Sequence, residues 1–258
     1  MIAAGIWRRA RASRRFVVAL GLVAAASAVA TAGAQRGYFS YEPNAEYDGR
    51  YTFVRLRYTS SGFRGGGRWS ADYPAMERNF MTILNDLTTV HPHVRESNIM
   101  TLDDTALARF SVAYLCEPGF WIPNEAEAAG LRRWLAKGGF LIIDDFYNQQ
   151  WVNFERSMKM VLPDARIVPL NVSHPIFNSF FKITTLTGLS HPDDDTAKAE
   201  YKGIYEDNDP SKRLLVMINY NNDIGDYMEW SGQGVYAINF SNDAYKLATN
   251  YIVYGLTH

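Results

Sequence analysis

The stretch Asn124 to Asp145, NEAEAAGLRRWLAKGGFLIIDD, constrains the chain more than any other. Asn124 can cap a helix through its side chain, while Glu127, three residues on, can return a bond to the cap's own amide. Ala128, Leu131, Trp134 and Leu135 then fall on one helical face, and Gly138-Gly139 supplies a left-handed stop. Phe140 to Ile143 follows as an unbroken apolar run, which is how a strand buried on both faces reads, and it ends in Asp144 and Asp145. A helix feeding such a strand is half of a parallel α/β repeat. In open parallel sheets ligands lie beyond the carboxyl ends of the strands. The expected fold is therefore a single α/β domain with a parallel sheet between helices, and the expected site is the strand end at Asp144 and Asp145.

The first 34 residues read as a targeting segment. Arg8, Arg9, Arg11, Arg14 and Arg15 form a basic start, Phe16 to Ala30 is an apolar core of 15 residues, and Ala32-Gly33-Ala34 is a small-x-small cleavage site. Cleavage is expected after Ala34. An apolar core of 15 residues falls short of the roughly 20 that a spanning helix needs, so no membrane segment is expected beyond the signal itself. Ser13-Arg14-Arg15 leaves both the general and the twin-arginine export routes open. Residues 35–51 are a polar leader and residues 52–258 the domain. Of the 26 basic residues five lie in the signal, so 21 face 27 acidic ones and the exported chain carries a net charge of about −6. That sign argues against nucleic acid as a partner. Cys116 is the only cysteine, so no disulfide is expected and the core must supply stability.

Along the chain, Thr52 to Tyr58 reads as the first strand and Ala75 to Val90 as a helix ended by His91-Pro92. Between them, Gly62, Gly65, Gly66 and Gly67 follow neither phosphate-loop spacing, so the segment reads as a surface loop carrying Arg64, Arg68 and Trp69. Ser97 to Leu102 and Val112 to Cys116 read as strands, Asn153 to Met160 as a helix closed by Pro163, and Arg166 to Leu170 as a fourth strand type. Gly188 to Lys212 is polar and acidic and reads as an excursion from the core. Leu214 to Ile218 and Val235 to Phe240 read as strong strands, and Asn242 to Leu256 as the closing helix.

The motifs R-L-x-Y at Arg55 to Tyr58, W-S-x-D-Y-P at Trp69 to Pro74, the helix-strand pair at Leu131 to Asp145, H-P-I-F at His174 to Phe177 and N-D-x-G-D-x-x-E-W at Asn222 to Trp230 together resemble a bacterial domain-of-unknown-function family, the one numbered 4159. The resemblance implies a flavodoxin-like domain similar to the class I glutamine-amidotransferase-like superfamily. It brings no assigned activity. Such members are often seen near genes for AAA-type ATPases and von Willebrand-type adhesion proteins, which implies a role in an envelope assembly. Many members carry Gly-His where this chain has Cys116-Glu117, so a site built on that histidine does not carry over.

A cysteine glutaminase is disfavoured by the residues themselves. A nucleophile elbow needs small neighbours, whereas Cys116 stands between Leu115 and Glu117. The candidates for chemistry are Asp144 and Asp145, one of which could form with Glu117 on the neighbouring strand end a paired carboxylate for acid-base work or a hard-cation site, and His174, which precedes Pro175. Successive strand residues point to opposite faces, so one of the two aspartates is expected to face the crevice. The plainer reading is that these carboxylates cap the next helix or bind loop amides. Arg68, Trp69, Trp121 and Asp223 are candidates for ligand contact, with loop tryptophans equally readable as core. Asp223, Asp226 and Glu229 could also hold a cation but lack the spacing of a calcium loop, and Asp193 to Asp195 read as a solvated acidic loop, so neither a metal site nor a cofactor is assigned. The function these features favour is a non-catalytic binding or assembly module of the cell envelope, periplasmic or extracellular, taking a protein partner or a small ligand. The alternative is a hydrolase-like enzyme acting on a carbohydrate or peptidic ligand through strand-end carboxylates with His174.

Overall fold

The capping box at Asn124 forms as the sequence requires: Asn124 Oδ1 accepts from the Glu127 amide at 3.0 Å, and Glu127 Oε2 accepts from the Asn124 amide at 2.9 Å. In the computed structural model, which describes residues 41–60, 67–194 and 196–258, this cap starts a helix at Glu125–Ala136. Gly138, at φ +112°, turns the chain into the strand Phe140–Asp144, every residue of which is buried. The signal segment and Arg64 with Gly62, Gly65 and Gly66 lie outside the described residues. Residues 42–258 make one unit.

The strands are β1 Phe53–Arg57, β2 Ser97–Thr101, β3 Val112–Cys116, β4 Phe140–Asp144, β5 Val168–Pro169, β6 Glu200–Tyr205 and β7 Leu214–Tyr220. They form one sheet in the order β2-β1-β3-β4-β7-β6-β5. β2, β1, β3, β4 and β7 are mutually parallel, with Cys116 beside Asp144 in the register. The helices are α1 Ala75–Leu87, α2 Glu125–Ala136, α3 Gln150–Val161, α4 Ile224–Glu229 and α5 Ile238–Thr257. One face of the sheet packs Phe53, Phe80, Tyr114, Phe140, Met217, Leu247 and Tyr251 into a continuous apolar cluster.

Three expectations are corrected. The sheet is mixed: β6 runs antiparallel to β7, and β5 antiparallel to β6. The acidic stretch read as an excursion contains β6, which reaches β7 through a short connection, as antiparallel neighbours can. Its burial alternates only at the start, with Tyr201 and Gly203 to Tyr205 buried, so the polar flanks mask it. Third, Val235 to Phe240 is not a strand. Gly232 and Gly234 turn the chain at positive φ, Ala237 is the extended cap of α5, and only Ile238 to Phe240 of this stretch are helical. Val235 and Ile238 are left exposed. The expected strand at Arg166 to Leu170 shrinks to two residues, and its Pro169 suits an edge position.

Candidate functional site

The carboxyl ends of β3 and β4 meet side by side, and both chains turn there through left-handed backbone, at Glu117 (φ +45°) and Asp145 (φ +61°). Extended neighbours would point to opposite faces. The turn at Asp145 instead brings both aspartates to one face, where Asp144 reaches Tyr114 and Asp145 reaches Cys116, two residues apart on β3. Asp144 is fully occupied: Oδ2 accepts from the Tyr114 hydroxyl at 2.9 Å and the Gly225 amide at 3.0 Å, and Oδ1 accepts from Asn219 Nδ2 at 3.1 Å. Asn219 Oδ1 in turn accepts from the Tyr251 hydroxyl at 2.9 Å. This carboxylate ties β3, β4 and β7 to α4 and, through Asn219, to α5. Burial, and then the charge of Asp145, pushes its pKa up to about 6.

Asp145 holds two different partners. Its Oδ2 accepts the Cys116 thiol at 3.2 Å and its Oδ1 accepts His191 Nε2 at 3.0 Å. His191 Nδ1 accepts the Asp193 amide at 3.1 Å, which assigns the ring proton to Nε2. Tyr147 covers the ring at 4.1 Å between centroids. Burial and then the Asp145 charge raise the Cys116 thiol well above its ordinary pKa, the reverse of what a nucleophilic thiolate needs.

Around this pair stand Asp72, Asp223, Asp226 and Glu117. Asp223 caps α4, its Oδ1 accepting from the Asp226 amide at 2.8 Å, and Asp226 accepts from the Tyr236 hydroxyl. Asp72, at φ +64°, carries an oxygen, Oδ2, that is sealed from solvent and has no hydrogen-bond partner. Burial and then Asp145 raise the pKa values of both Asp72 and Asp223 well above the carboxylate range. Three sets of potential ligand atoms each fall within 4.8 Å of one another: Asp72, Cys116 and Asp145; Asp145, His191 and Asp223; Asp72, Asp223 and Asp226. Glu117 pairs with Arg68 at 3.0 Å, and burial followed by Asp145 lifts it to about 7. Beneath lies a buried ion pair, Arg55 Nε to Glu77 at 2.5 Å, and Arg55 Nη1 also holds the carbonyls of Trp69 and Ala71 at 3.0 and 2.8 Å. Arg55 thus fixes the segment that delivers Asp72.

Of the residues proposed from sequence, Asp145, Glu117, Arg68 and Asp223 meet at this edge, and Asp144 serves as its latch. His174 does not join them. Its ring packs on Tyr205 and Tyr254, beside the amino ends of β7 and β4, at the opposite edge of the sheet. Trp69 and Trp121 are buried core residues and face no crevice; the Trp121 carbonyl accepts from Asn153 and Ser157. The fold also gathers carboxylates that are distant in the chain, in groups close enough to share a cation. His191 and Asp72 were missed. Both His174 and His191 precede proline and accept the amide two residues on, so locally the two are indistinguishable. A cleft of about 350 Å³ lies elsewhere, lined by Arg132, Leu162, Tyr205 and Arg213. Both arginines there donate to carbonyls at or near helix ends, a structural task.

Sheet, crossover helices and a strand-end acidic cluster define an α/β domain with a polar site at its carboxyl edge. The chain belongs to the family described as a domain of unknown function, DUF4159, whose model matches residues 52–256. No curated protein matches it. Among the described residues no helix is long and apolar enough to cross a membrane.

Proposed function

We propose that the chain is an exported, non-catalytic binding or assembly module of the bacterial cell envelope, and that the strand-end acidic cluster is where it takes its ligand. One observation carries the reading. The groups a hydrolase would use are consumed internally: the Cys116 thiol and His191 Nε2 both donate to Asp145, and His191 Nδ1 is held by the Asp193 amide. No histidine nitrogen of that pair is presented to a substrate. The hydrolase alternative needed His174 beside Asp145, and His174 stands at the other edge. The five parallel strands, taken by themselves, follow the order second, first, third, fourth, fifth, which supports a flavodoxin-like core of the amidotransferase-like type. Export rests on residues 1–34 and is tested by fusing them to a reporter active only outside the cytoplasm. The non-catalytic reading is tested by offering the purified chain amide, ester and glycoside substrates. The expected result is no turnover; turnover that disappears in Asp145→Asn would remove the reading.

A further inference from the structure

We propose that the cluster binds one hard divalent cation, of the calcium or magnesium class, through the carboxylates of Asp72, Asp145, Asp223 and Asp226. The inference rests on the ligand-binding reading of this edge and gives the ligand a chemistry. Oxygens of Asp72, Asp223 and Asp226 lie within 4.8 Å of one another, and Asp145 comes within the same distance of Asp72 in one set and of Asp223 in another. Carboxylate oxygens so placed are the donors that calcium, magnesium and manganese take.

A second observation is independent of that grouping. Asp72 Oδ2 is buried and accepts no hydrogen bond, and a buried polar atom left in that state is normally met by an ion or an ordered water. The backbone makes room for it. A Cβ on Gly225 would stand 2.5 Å from Asp72 Oδ2, so glycine there lets the carboxylate approach the first turn of α4 without being displaced. Arg55 offsets the Asp72 charge only from a distance, being paired with Glu77, and Arg68 is paired with Glu117. Asp72, Asp223 and Asp226 have no cationic side chain in an ion pair with them among the described residues.

The softer donors near the cluster are occupied by hydrogen bonds to Asp145. His191 Nε2 carries the ring proton and donates it to Asp145, so the imidazole orients a carboxylate instead of binding an ion. Cys116 likewise keeps its S–H on Asp145. That arrangement selects against zinc and favours an all-oxygen shell.

The test is thermal unfolding of the full chain, stripped with a chelator, then given calcium, magnesium or zinc chloride alone. A ligand that binds only the folded state raises its melting temperature by mass action. Asp72→Asn is the informative variant, because asparagine tolerates the left-handed backbone at φ +64° and the lost oxygen has no donor to orphan. Calcium or magnesium is expected to raise the melting temperature of the wild type by several degrees. Asp72→Asn is expected to melt higher than the wild type without metal and to bind the cation at least tenfold more weakly. Asp226→Asn repeats the loss of affinity from a second ligand. The proposal is overturned if neither ion shifts the wild type, if zinc alone does, or if Asp72→Asn responds as the wild type does. The two readings fail separately. A missing cation shift leaves a protein-binding module standing, whereas Asp145-dependent turnover in cation-loaded chain removes the non-catalytic reading and keeps the site.

Discussion

Asp144 and Asp145 are chain neighbours, yet the left-handed backbone at Asp145 commits one to a closed hydrogen-bond set and brings the other to Cys116 and His191. The presence of two strand-end carboxylates was legible in FLIIDD; their division of roles was not, because it depends on one backbone angle and on partners from β3, β7 and a distant loop. Cys116 shows the same dependence. Its neighbours argued against an elbow, and its burial, followed by the Asp145 charge, raises its thiol well above the ordinary value. A thiol reagent should therefore label the native chain orders of magnitude more slowly than the unfolded chain; rapid labelling without denaturant would contradict the sealed thiol. Glu117 gives a pH signature. Its folded pKa of about 7 lies above its ordinary value of 4.5, so the folded state holds the proton more tightly. The stability this contributes is full below pH 4.5 and is lost as the pH rises through 7. Melting temperature without cation should fall between pH 5 and 8, and Glu117→Gln should reduce that fall, since the proton that Glu117 holds in the fold is then no longer titrated. An unchanged slope in the variant would assign the dependence to other groups.

At the scale of elements, what the chain writes locally was readable. The cap at Asn124, the stop at Gly138 and the buried run of β4 depend on residues within a few positions of each other. Asn124→Ala should cost about 1 kcal/mol in denaturant unfolding, while Asn124→Ser should cost a few tenths, because serine still caps. Equal losses in the two variants would mean that the side-chain cap is not what starts α2. β6 was missed for the complementary reason. Its strand character comes from pairing with β7 and burial of Tyr201, Ile204 and Tyr205, not from a local pattern that outweighs Glu200, Lys202 and the acidic flanks. The start of α5 was misread because Val235, Tyr236, Ile238 and Phe240 favour strands in isolation, whereas the chain turns before Ala237 and the helix that starts at Ile238 packs Phe240 on Tyr227.

For the whole molecule, the topology explains how acidic residues spread from Asp72 to Asp226 reach one edge. The parallel strands β1, β3, β4 and β7 all end there, so each following segment delivers a side chain: Asp72 after β1, Glu117 after β3, Asp145 after β4, Asp223 and Asp226 after β7. His191 arrives from the segment before β6, the antiparallel addition that composition concealed. The edge was therefore predictable from the parallel repeat, and its membership only in part: Asp145, Glu117 and Asp223 were named from the sequence, Asp72 and His191 were not. The most direct measurement is calorimetric titration of calcium, then magnesium, into the chelator-stripped chain. One cation per chain, with affinity lost in Asp72→Asn, is the predicted result. No heat of binding for either ion, in a chain shown to be folded, would contradict the claim that this acidic edge is a cation site.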